Sequence, residues 1–241
     1  MVVNVANCIL TNSNGPIFDI STSVAMQIDN TTIEDSVGGV VHFGHTSNYA
    51  VQQNLSVYNS SFNNCSADVD SHIGGVFYMT STNDASYVVN IDNCTFTNNR
   101  AVNGSVLYMS SAGSVQNLTL TSNGFGNNSA DLFGGSIYLS GTNTEVVSIT
   151  LSSNNFTSGS ATSGNALYME TVATGTPNVC VDRCLFANNT SDKLGAFTLI
   201  TSPDGIQPDV SFFNTTFIGN QATLGAGIYL GGTGDVGVVI L

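Results

Sequence analysis

Positively charged side chains are scarce in this chain of 241 residues. It has three of them, Arg100, Arg183 and Lys193, against sixteen Asp and Glu residues, so its net charge at pH 7 is −13. Proteins bind nucleic acids and anionic membrane surfaces largely by neutralising phosphates with Lys and Arg. The composition therefore argues against a nucleic-acid partner and against binding to an anionic membrane.

Long apolar runs are also missing. The longest ones, such as residues 238–241, are far shorter than the ~20 residues of a membrane-spanning helix. The N-terminus has neither the basic start nor the long apolar stretch of a signal peptide. We therefore expect no membrane span, and we expect a secreted form to be a mature chain or an excised piece.

Proline is rare, yet the chain is rich enough in apolar residues to fold throughout. It has 4 prolines, 25 glycines and 41% hydrophobic residues, which places it outside the low-complexity class and allows a continuous core. Asn, Ser and Thr occupy the surface positions that Lys and Glu fill in most cytosolic proteins. This surface composition favours an extracellular or cell-surface location.

An internal repeat dominates the sequence. Its clearest copies read CTFTNNRAVNGSVLYM (residues 94–109), GFGNNSADLFGGSIYL (residues 124–139) and CLFANNTSDKLGAFTL (residues 184–199). A period of about 30 residues indicates one stacked unit per copy, because each unit can bury its apolar face only against its neighbours. One central apolar residue, here called the anchor, marks each of the eight copies: Leu10, Ile33, Phe62, Phe96, Phe125, Phe156, Phe186 and Phe217.

The spacing around each anchor predicts strands and corners. Two apolar residues stand seven and five positions before the anchor, for example Val89 and Ile91, which is strand spacing. The anchor stands an odd number of residues after that pair, so in one continuous strand it would point to the opposite face. A corner must therefore lie between the pair and the anchor. Asn tolerates the left-handed backbone of a sharp corner. We expect that corner three residues before each anchor, at Asn7, Asn30, Asn59, Asn93, Ser122, Ser153, Arg183 and Asn214.

A glycine corner and a third strand follow the anchor in each copy. The third strand has inward apolar pairs such as Phe77 and Met79, and its outward residue is usually a tyrosine. These tyrosines predict an outward aromatic ladder available to a ligand: Tyr78, Tyr108, Tyr138, Tyr168 and Tyr229. The chain is therefore predicted to be all-β, a single domain (1–241) forming a right-handed parallel β-helix of about eight coils, each roughly 30 residues with three short strands.

The motifs of the repeat resemble a known family. FxxN (residues 96–99, 125–128, 186–189 and 217–220) is paired with GGxI or its relatives (residues 134–137, 38–41, 74–77 and 225–228). This pairing resembles the repeat of polymorphic outer membrane proteins, typified by the passenger domains of chlamydial autotransporter adhesins. The resemblance implies a right-handed β-helix, extracellular display and adhesive or scaffolding work, and it brings no catalytic residues. One copy departs from the pattern, because Phe156 is followed by Thr-Ser-Gly.

Five cysteines match no zinc-site spacing, and their odd number leaves one thiol free or paired between chains. They are Cys8, Cys65, Cys94, Cys180 and Cys184. Three of them stand two residues before an anchor, and we interpret these as small half-buried corner residues.

Parallel β-helices also include polysaccharide-degrading enzymes, whose hydrolytic chemistry needs carboxylates that converge on one patch. Asp29, Asp92 and Asp182 share one position of the repeat but come from the second, fourth and seventh coils. Asp68 and Asp70 are interpreted as a solvated turn. We therefore predict no catalytic residues, and a polysaccharide lyase or hydrolase is the third and least favoured function.

A weak metal-like trio is formed by His42, His45 and His72, which we interpret as surface histidines. Without a stronger set of ligands, the sequence predicts no metal site and no cofactor.

Asparagine supports two interpretations. Twelve N-x-S/T sequons are candidates for N-glycosylation: Asn30, Asn54, Asn59, Asn64, Asn93, Asn103, Asn117, Asn127, Asn155, Asn188, Asn189 and Asn214. Stacked corner asparagines can instead hydrogen-bond one another as a ladder. If the chain passes through a eukaryotic secretory pathway, Asn54, Asn117, Asn64, Asn127 and Asn188 are expected to carry glycans, with partial occupancy in the corner column.

The sequence favours a non-enzymatic extracellular structural protein, a rod-like component of a surface layer or glycosylated fibre. The alternative is a cell-surface adhesin that binds a host or carbohydrate ligand through its loops and the tyrosine ladder. No cap is visible at residues 2–5 or 238–241, so the expected partners are copies of the chain or adjoining β-helix coils, stacked end to end.

Overall fold

The computed structural model describes residues 1–45, 52–67, 74–81, 86–112, 115–144, 146–173, 177–201, 208–232 and 237–240. Within these residues the chain is all β, with twenty-nine strands and no helix. The strands stack in parallel as a β-solenoid.

The first three turns contribute three strands each to the described structure. Their bounds are β1 Val2–Ala6, β2 Ile9–Thr11, β3 Phe18–Ile20, β4 Ala25–Asp29, β5 Thr32–Glu34, β6 Val41–His45, β7 Gln52–Tyr58, β8 Ser61–Asn63 and β9 Phe77–Ser81.

The next four turns contribute four strands each. Their bounds are β10 Ser86–Asp92, β11 Thr95–Thr97, β12 Arg100–Asn103, β13 Leu107–Ala112, β14 Val115–Thr121, β15 Gly124–Gly126, β16 Ser129–Phe133, β17 Ile137–Thr144, β18 Val146–Ser152, β19 Asn155–Thr157, β20 Ser160–Ser163, β21 Leu167–Ala173, β22 Asn178–Asp182, β23 Leu185–Ala187, β24 Thr190–Leu194 and β25 Phe197–Thr201. The last strands are β26 Asp209–Phe213, β27 Thr216–Ile218, β28 Ile228–Gly232 and β29 Gly237–Ile240.

Four parallel sheets run along the solenoid, and each turn adds one strand to a sheet. Sheet A has the order β1-β4-β7-β10-β14-β18-β22-β26-β29, sheet B β2-β5-β8-β11-β15-β19-β23-β27, sheet C β12-β16-β20-β24, and sheet D β28-β25-β21-β17-β13-β9-β6-β3. Sheet B carries the anchors, and Phe96 pairs with Phe62 on one side and with Phe125 on the other. The eight-coil repeat is therefore confirmed. Strand pairing is the same for either hand of the coil, so right-handedness stays a prediction, as does the single domain.

Sheet C lies in the polar segment between each anchor strand and the following glycine corner, where the sequence predicted no strand. Single bridges extend it toward both ends, from Asn14 through Val37 and Ser66 to Arg100, and from Thr190 to Gln221. The middle turns therefore have one short strand more than the three predicted. Apolar periodicity could not reveal these strands, because their one buried apolar residue is at most a small one, such as Ala101 or Ala130.

The anchor phenylalanines form one buried column. From Phe62 to Phe217, successive ring centroids are 4.4 to 5.1 Å apart and the ring planes lie within 11° of parallel. The rings of the inner turns are at most 2% exposed, whereas Phe217 in the last turn is half-buried. The predicted inward stack is confirmed.

The predicted corner column is also confirmed. All eight of its residues, from Asn7 to Asn214, have positive φ between 46° and 57°. A second column with positive φ, which the sequence reasoning missed, stands two residues after each anchor: Asn12, Asp35, Asn64, Asn98, Asn127, Ser158, Asn188 and Gly219. Each anchor strand is therefore only three residues long, because a left-handed corner ends it on both sides.

The glycine corner before sheet D has a steric requirement. Gly134 has φ of 63°, and a Cβ added there would stand 2.2 Å from the carbonyl oxygen of Ile137. The backbone turns too tightly at this point for any side chain, as the glycine column predicts.

Candidate functional surfaces

The tyrosines of sheet D lie on the outer face of the solenoid. Tyr78 stands between Phe77 and Met79, which are fully buried in the core, so the alternation of a strand directs its ring outward. The same register continues through Tyr108 and Tyr138. These three side chains are half-buried.

The rings stack on one another and cover each other's faces. Their centroids are 5.4 Å apart between Tyr78 and Tyr108, 4.9 Å between Tyr108 and Tyr138, and 5.7 Å between Tyr138 and Tyr168. The last two pairs lie within 10° of parallel. The column therefore presents ring edges to solvent, whereas stacking of a ligand would need an open face.

Burial increases toward the later end of this column. Tyr168 is only 4% exposed, and the ring of Phe133 lies 4.7 Å from it, centroid to centroid. Thr198 follows in the next turn and is fully buried, so it separates Tyr168 from Tyr229. The predicted ladder of five tyrosines is thus a stack of four and one separate residue.

Burial also raises the pKa of the stacked phenols. It raises the pKa of Tyr108 to about 12, with a smaller contribution from the neighbouring hydroxyl of Tyr138. The pKa of Tyr138 and that of Tyr168 are raised for the same main reason, and the carboxylate of Glu170 adds to both. Tyr108, Tyr138 and Tyr168 are therefore neutral at physiological pH.

His42 begins the same outer column. Its Nδ1 lies 3.3 Å from an oxygen of Asp19, and its ring centroid lies 4.6 Å from that of Tyr78. The side chain of His45 and all of His72 fall outside the described residues, so the structure does not test the weak metal-like trio. Among the residues that the structure describes, no three His, Cys, Asp or Glu side chains are grouped as a metal site.

The repeated carboxylates occupy the outer edge of sheet A. Tyr58 stands between Asp29 and Asp92 in the strand register, and Thr121 and Ser152 separate Asp92 from Asp182. Oδ1 of Asp29 accepts a hydrogen bond from Nδ2 of Asn59, and Asp182 pairs with Arg183. Asp68 and Asp70 lie outside the described residues.

All five cysteines are free thiols. Cys8 is partly buried at the corner position before the anchor, as the sequence predicts, whereas Cys94 and Cys184 are fully buried there, more than predicted. The three belong to the first, fourth and seventh turns, too far apart to bond to each other. Burial raises the pKa of the Cys65 and Cys94 thiols to about 11, which makes both poor nucleophiles.

Buried asparagines form two ladders that the sequence reasoning did not foresee. In the FxxN motif the final Asn follows the second corner and points inward: Asn99, Asn128, Asn189 and Asn220. Nδ2 of Asn128 donates to the carbonyl of Phe96, 3.0 Å away and one turn earlier. Asn123 and Asn154 do the same after the first corner, where Nδ2 of Asn123 donates to Oδ1 of Asn154 over 3.0 Å. The repeated Asn of FxxN was the sequence signal for this ladder, but an analysis of apolar periodicity does not predict that a polar residue is buried.

The buried ladders separate one sequon, Asn189, from the sequons that lie at the surface. Asn189 is 1% exposed, and its Nδ2 donates to the carbonyl of Phe156 and to Oδ1 of Asn220. A glycan on this nitrogen would replace one of its two donor hydrogens and would need space inside the solenoid. The folded structure therefore argues against Asn189 as a glycosylation site.

Other sequons hold the corners together. Nδ2 of Asn30, Asn59, Asn64, Asn93 and Asn127 each donates to an oxygen of the preceding turn, for example 2.7 Å from Asn30 to Asn7 and 2.8 Å from Asn93 to Asn59. The corner ladder foreseen as an alternative to glycans is therefore present, and a glycan here would cost one exposed hydrogen bond.

The remaining sequons differ in exposure. Asn155, Asn188 and Asn214 are exposed, whereas Asn54, Asn103 and Asn117 are half-buried. Oδ1 of Asn54 is buried without a hydrogen-bond partner, and Oδ1 of Asn103 accepts from the backbone of Phe133. Asn155 is thus the sequon that combines an outward position in a strand with an exposed side chain.

In the described part of the chain, no helix has the length and hydropathy needed to cross a membrane. A scan against family models and searches of curated proteins and of solved structures find no match to this chain.

Proposed function

We propose that this chain is a non-enzymatic structural rod that works outside the cell, as a component of a surface layer or a glycosylated fibre. The observation that supports the proposal is the continuity of its ladders from turn to turn. The phenylalanine column, the buried asparagines and the corner asparagines each use the neighbouring turn as their partner. Such a molecule gains stability with every turn that is added.

The polar outer surface agrees with this role. Apart from the acidic residues and three bases, the outward positions are mostly Asn, Ser and Thr, which need no counter-charge in a densely packed layer. Glycans on the exposed sequons, Asn155 above all, would add a hydrated coat to the sides of the rod.

The end turns give the proposed direction of association. Leu10 in the first turn and Phe217 in the last are half-buried, although the same column is fully buried between them. Within the described residues, each has a neighbouring anchor on one side. We propose that adjoining β-solenoid turns, from a longer chain or from a second copy, pair with these ends and complete the columns.

The adhesin alternative has less support. Its ligand was expected on the loops and the tyrosine ladder, and the stacked rings of that ladder cover each other's faces. The adhesive role and the assignment to the polymorphic outer membrane protein family rest on the FxxN and GGxI motifs. Buried asparagines and left-handed glycines account for both motifs as requirements of the fold. A polysaccharide-degrading enzyme remains the least favoured function.

Assembly is the test of the structural role. Purified protein should form rods whose length increases with concentration, as measured by sedimentation and electron microscopy. Leu224, 53% exposed in the last turn, and Leu132, 45% exposed in a middle turn, offer a matched pair. Leu224→Asp should shorten the rods and Leu132→Asp should not. A chain that stays monomeric at all concentrations, or equal effects of the two substitutions, would contradict end-to-end association.

A further inference from the structure

The tyrosine column has a property that a structural rod does not require. Four phenol rings stand in one row on a rigid sheet, held in register by the paired strands β9, β13, β17 and β21. Tyr108 and Tyr138 have the smallest separation, 4.9 Å between centroids, with planes 10° apart. We propose that this column is a site of oxidative cross-linking, at which a one-electron oxidant of the peroxidase type joins Tyr108 to Tyr138 as a dityrosine.

The chemistry balances between the two rings and the oxidant. Each phenol gives up one electron and one proton and becomes a phenoxyl radical, with spin density on the ring carbons ortho to the oxygen. Two radicals then join through one carbon–carbon bond between ortho carbons, and the ortho hydrogens move to the oxygens as the rings become aromatic again. The two electrons and two protons reduce one peroxide molecule to two waters.

Parallel stacking suits the bond-forming step. The new bond develops between p orbitals that point away from the ring planes, so the radicals must approach face to face. Tyr108 and Tyr138 already have this arrangement, because strands β13 and β17 pair them directly. Proximity of this kind lowers the entropic cost of joining two groups.

Exposure of the ring edges lets an external oxidant act. Tyr78, Tyr108 and Tyr138 are half-buried, so electrons can leave through their solvent-facing edges while the faces stay in contact. Tyr168 is covered by Phe133 and is expected to react only through its neighbour. A radical formed on any ring of the stack can be passed, by electron transfer between neighbouring rings, to the closest pair.

Two other tyrosines provide an internal control. Tyr58 and Tyr229 are half-buried on the outer face, and among the described residues neither ring stacks on another tyrosine. They resemble the column in exposure but not in arrangement. Among the described residues, radicals formed on them have no stacked tyrosine with which to couple.

The cross-link would tie two successive turns together. It would close a loop between residues 108 and 138, and a covalent closure of this kind lowers the entropy of the unfolded chain. Oxidised protein should therefore unfold at a higher temperature than untreated protein.

The experiment uses the full chain at high dilution, where coupling between molecules is suppressed. Photo-oxidation with a ruthenium tris-bipyridyl complex and persulfate supplies the one-electron oxidant. Dityrosine fluorescence of the monomer fraction and mass spectrometry of its peptides are the measurements. Wild-type protein should give a monomer with Tyr108 joined to Tyr138 as the main product and with a raised Tm.

Paired variants make the test specific. Tyr78→Phe with Tyr138→Phe keeps the stacked rings but leaves Tyr108 and Tyr168 in non-adjacent turns, so monomer dityrosine should fall to background. Tyr58→Phe with Tyr229→Phe also removes two tyrosines and should leave the product unchanged. Equal loss in both variants, no monomer dityrosine in the wild type, or cross-links mapped to Tyr58 or Tyr229 would overturn the proposal. The wild-type peptide map decides the question even if a variant fails to fold.

Discussion

Asn99 and Asn128 lie in neighbouring turns and are joined by a buried asparagine ladder. Both the backbone N–H of Asn99, at 3.0 Å, and its side-chain Nδ2, at 3.1 Å, donate to the same Oδ1 of Asn128. Nδ2 of Asn128 in turn donates to the carbonyl of Phe96. One side chain thus accepts from two donors of Asn99 and donates to the carbonyl of Phe96, so it helps to satisfy the buried polar groups of this corner.

Removal of that side chain should be costly. Asn128→Leu keeps the volume but leaves the backbone N–H of Asn99 without its acceptor, and it also removes one hydrogen bond of Asn99 Nδ2 and one to the carbonyl of Phe96. An unsatisfied buried group costs about 1 to 3 kcal/mol and each further lost hydrogen bond about 1 kcal/mol, so we expect a loss of about 3 kcal/mol or more in the free energy of unfolding, measured by urea denaturation. Asn127→Gly is the matched control. Asn127 is exposed with φ of 54°, which glycine adopts freely, so the change should stay within about 0.5 kcal/mol. Similar effects from both would contradict the ladder.

The phenylalanine column makes a second prediction. Phe125 is 2% exposed, and its ring stacks on Phe96 and on Phe156. Phe125→Ala should lower the free energy of unfolding by about 3 to 5 kcal/mol, because it removes apolar contacts and leaves a cavity. Phe217→Ala should cost less, since that ring has one neighbour in the stack and is half-buried. A larger loss at Phe217 would show that the column is not continuous.

Alkaline pH should destabilise the fold. Burial raises the pKa of Cys65 and Cys94 from 9.0 to about 11, and that of Tyr108 from 10.0 to about 12. Between these limits the native state binds more protons than the unfolded chain. The contribution of these groups to the free energy of unfolding is therefore fully present below pH 9.0 and is lost as the pH rises toward about 12. Urea midpoints measured at increasing pH should fall across this window. Tyr108→Phe should give a shallower fall above pH 10.0, and an unchanged slope would argue against burial of the phenol.

The structure predicts which sequons can carry glycans. In protein secreted and folded by a eukaryotic host, Asn155 should be glycosylated and Asn189 should not, because Asn189 is 1% exposed and donates two hydrogen bonds. Enzymatic deglycosylation in heavy-oxygen water, followed by peptide mass spectrometry, reports each site separately. Thr157→Ala removes only the Asn155 sequon and serves as the control. A glycan on Asn189 in folded protein would contradict the buried ladder.

Much of the fold was predictable because its signals are local. Paired apolar residues such as Val89 and Ile91 reveal strands, and the repeated Asn and Gly reveal corners whose φ values are positive. The period then places equivalent residues over one another, as Phe96 over Phe62. Sheet C was not predictable in this way. Its strands are held by backbone hydrogen bonds between turns, and those bonds depend little on side-chain pattern.

The sequence by itself determined the solenoid, the inward phenylalanines and the outward tyrosines, since each follows from the period of the repeat and the alternation of a strand. Only the tertiary structure decided which polar side chains are buried in hydrogen-bonded ladders and which are exposed to solvent. Asn188 and Asn189 are adjacent and belong to overlapping sequons, yet one is an exposed corner residue and the other a buried ladder residue. The stacking of neighbouring turns likewise decided that the tyrosines cover each other's faces. Burial and ring contact depend on residues about 30 positions away, brought to within ~5 Å by strand pairing, and no local pattern contains that information.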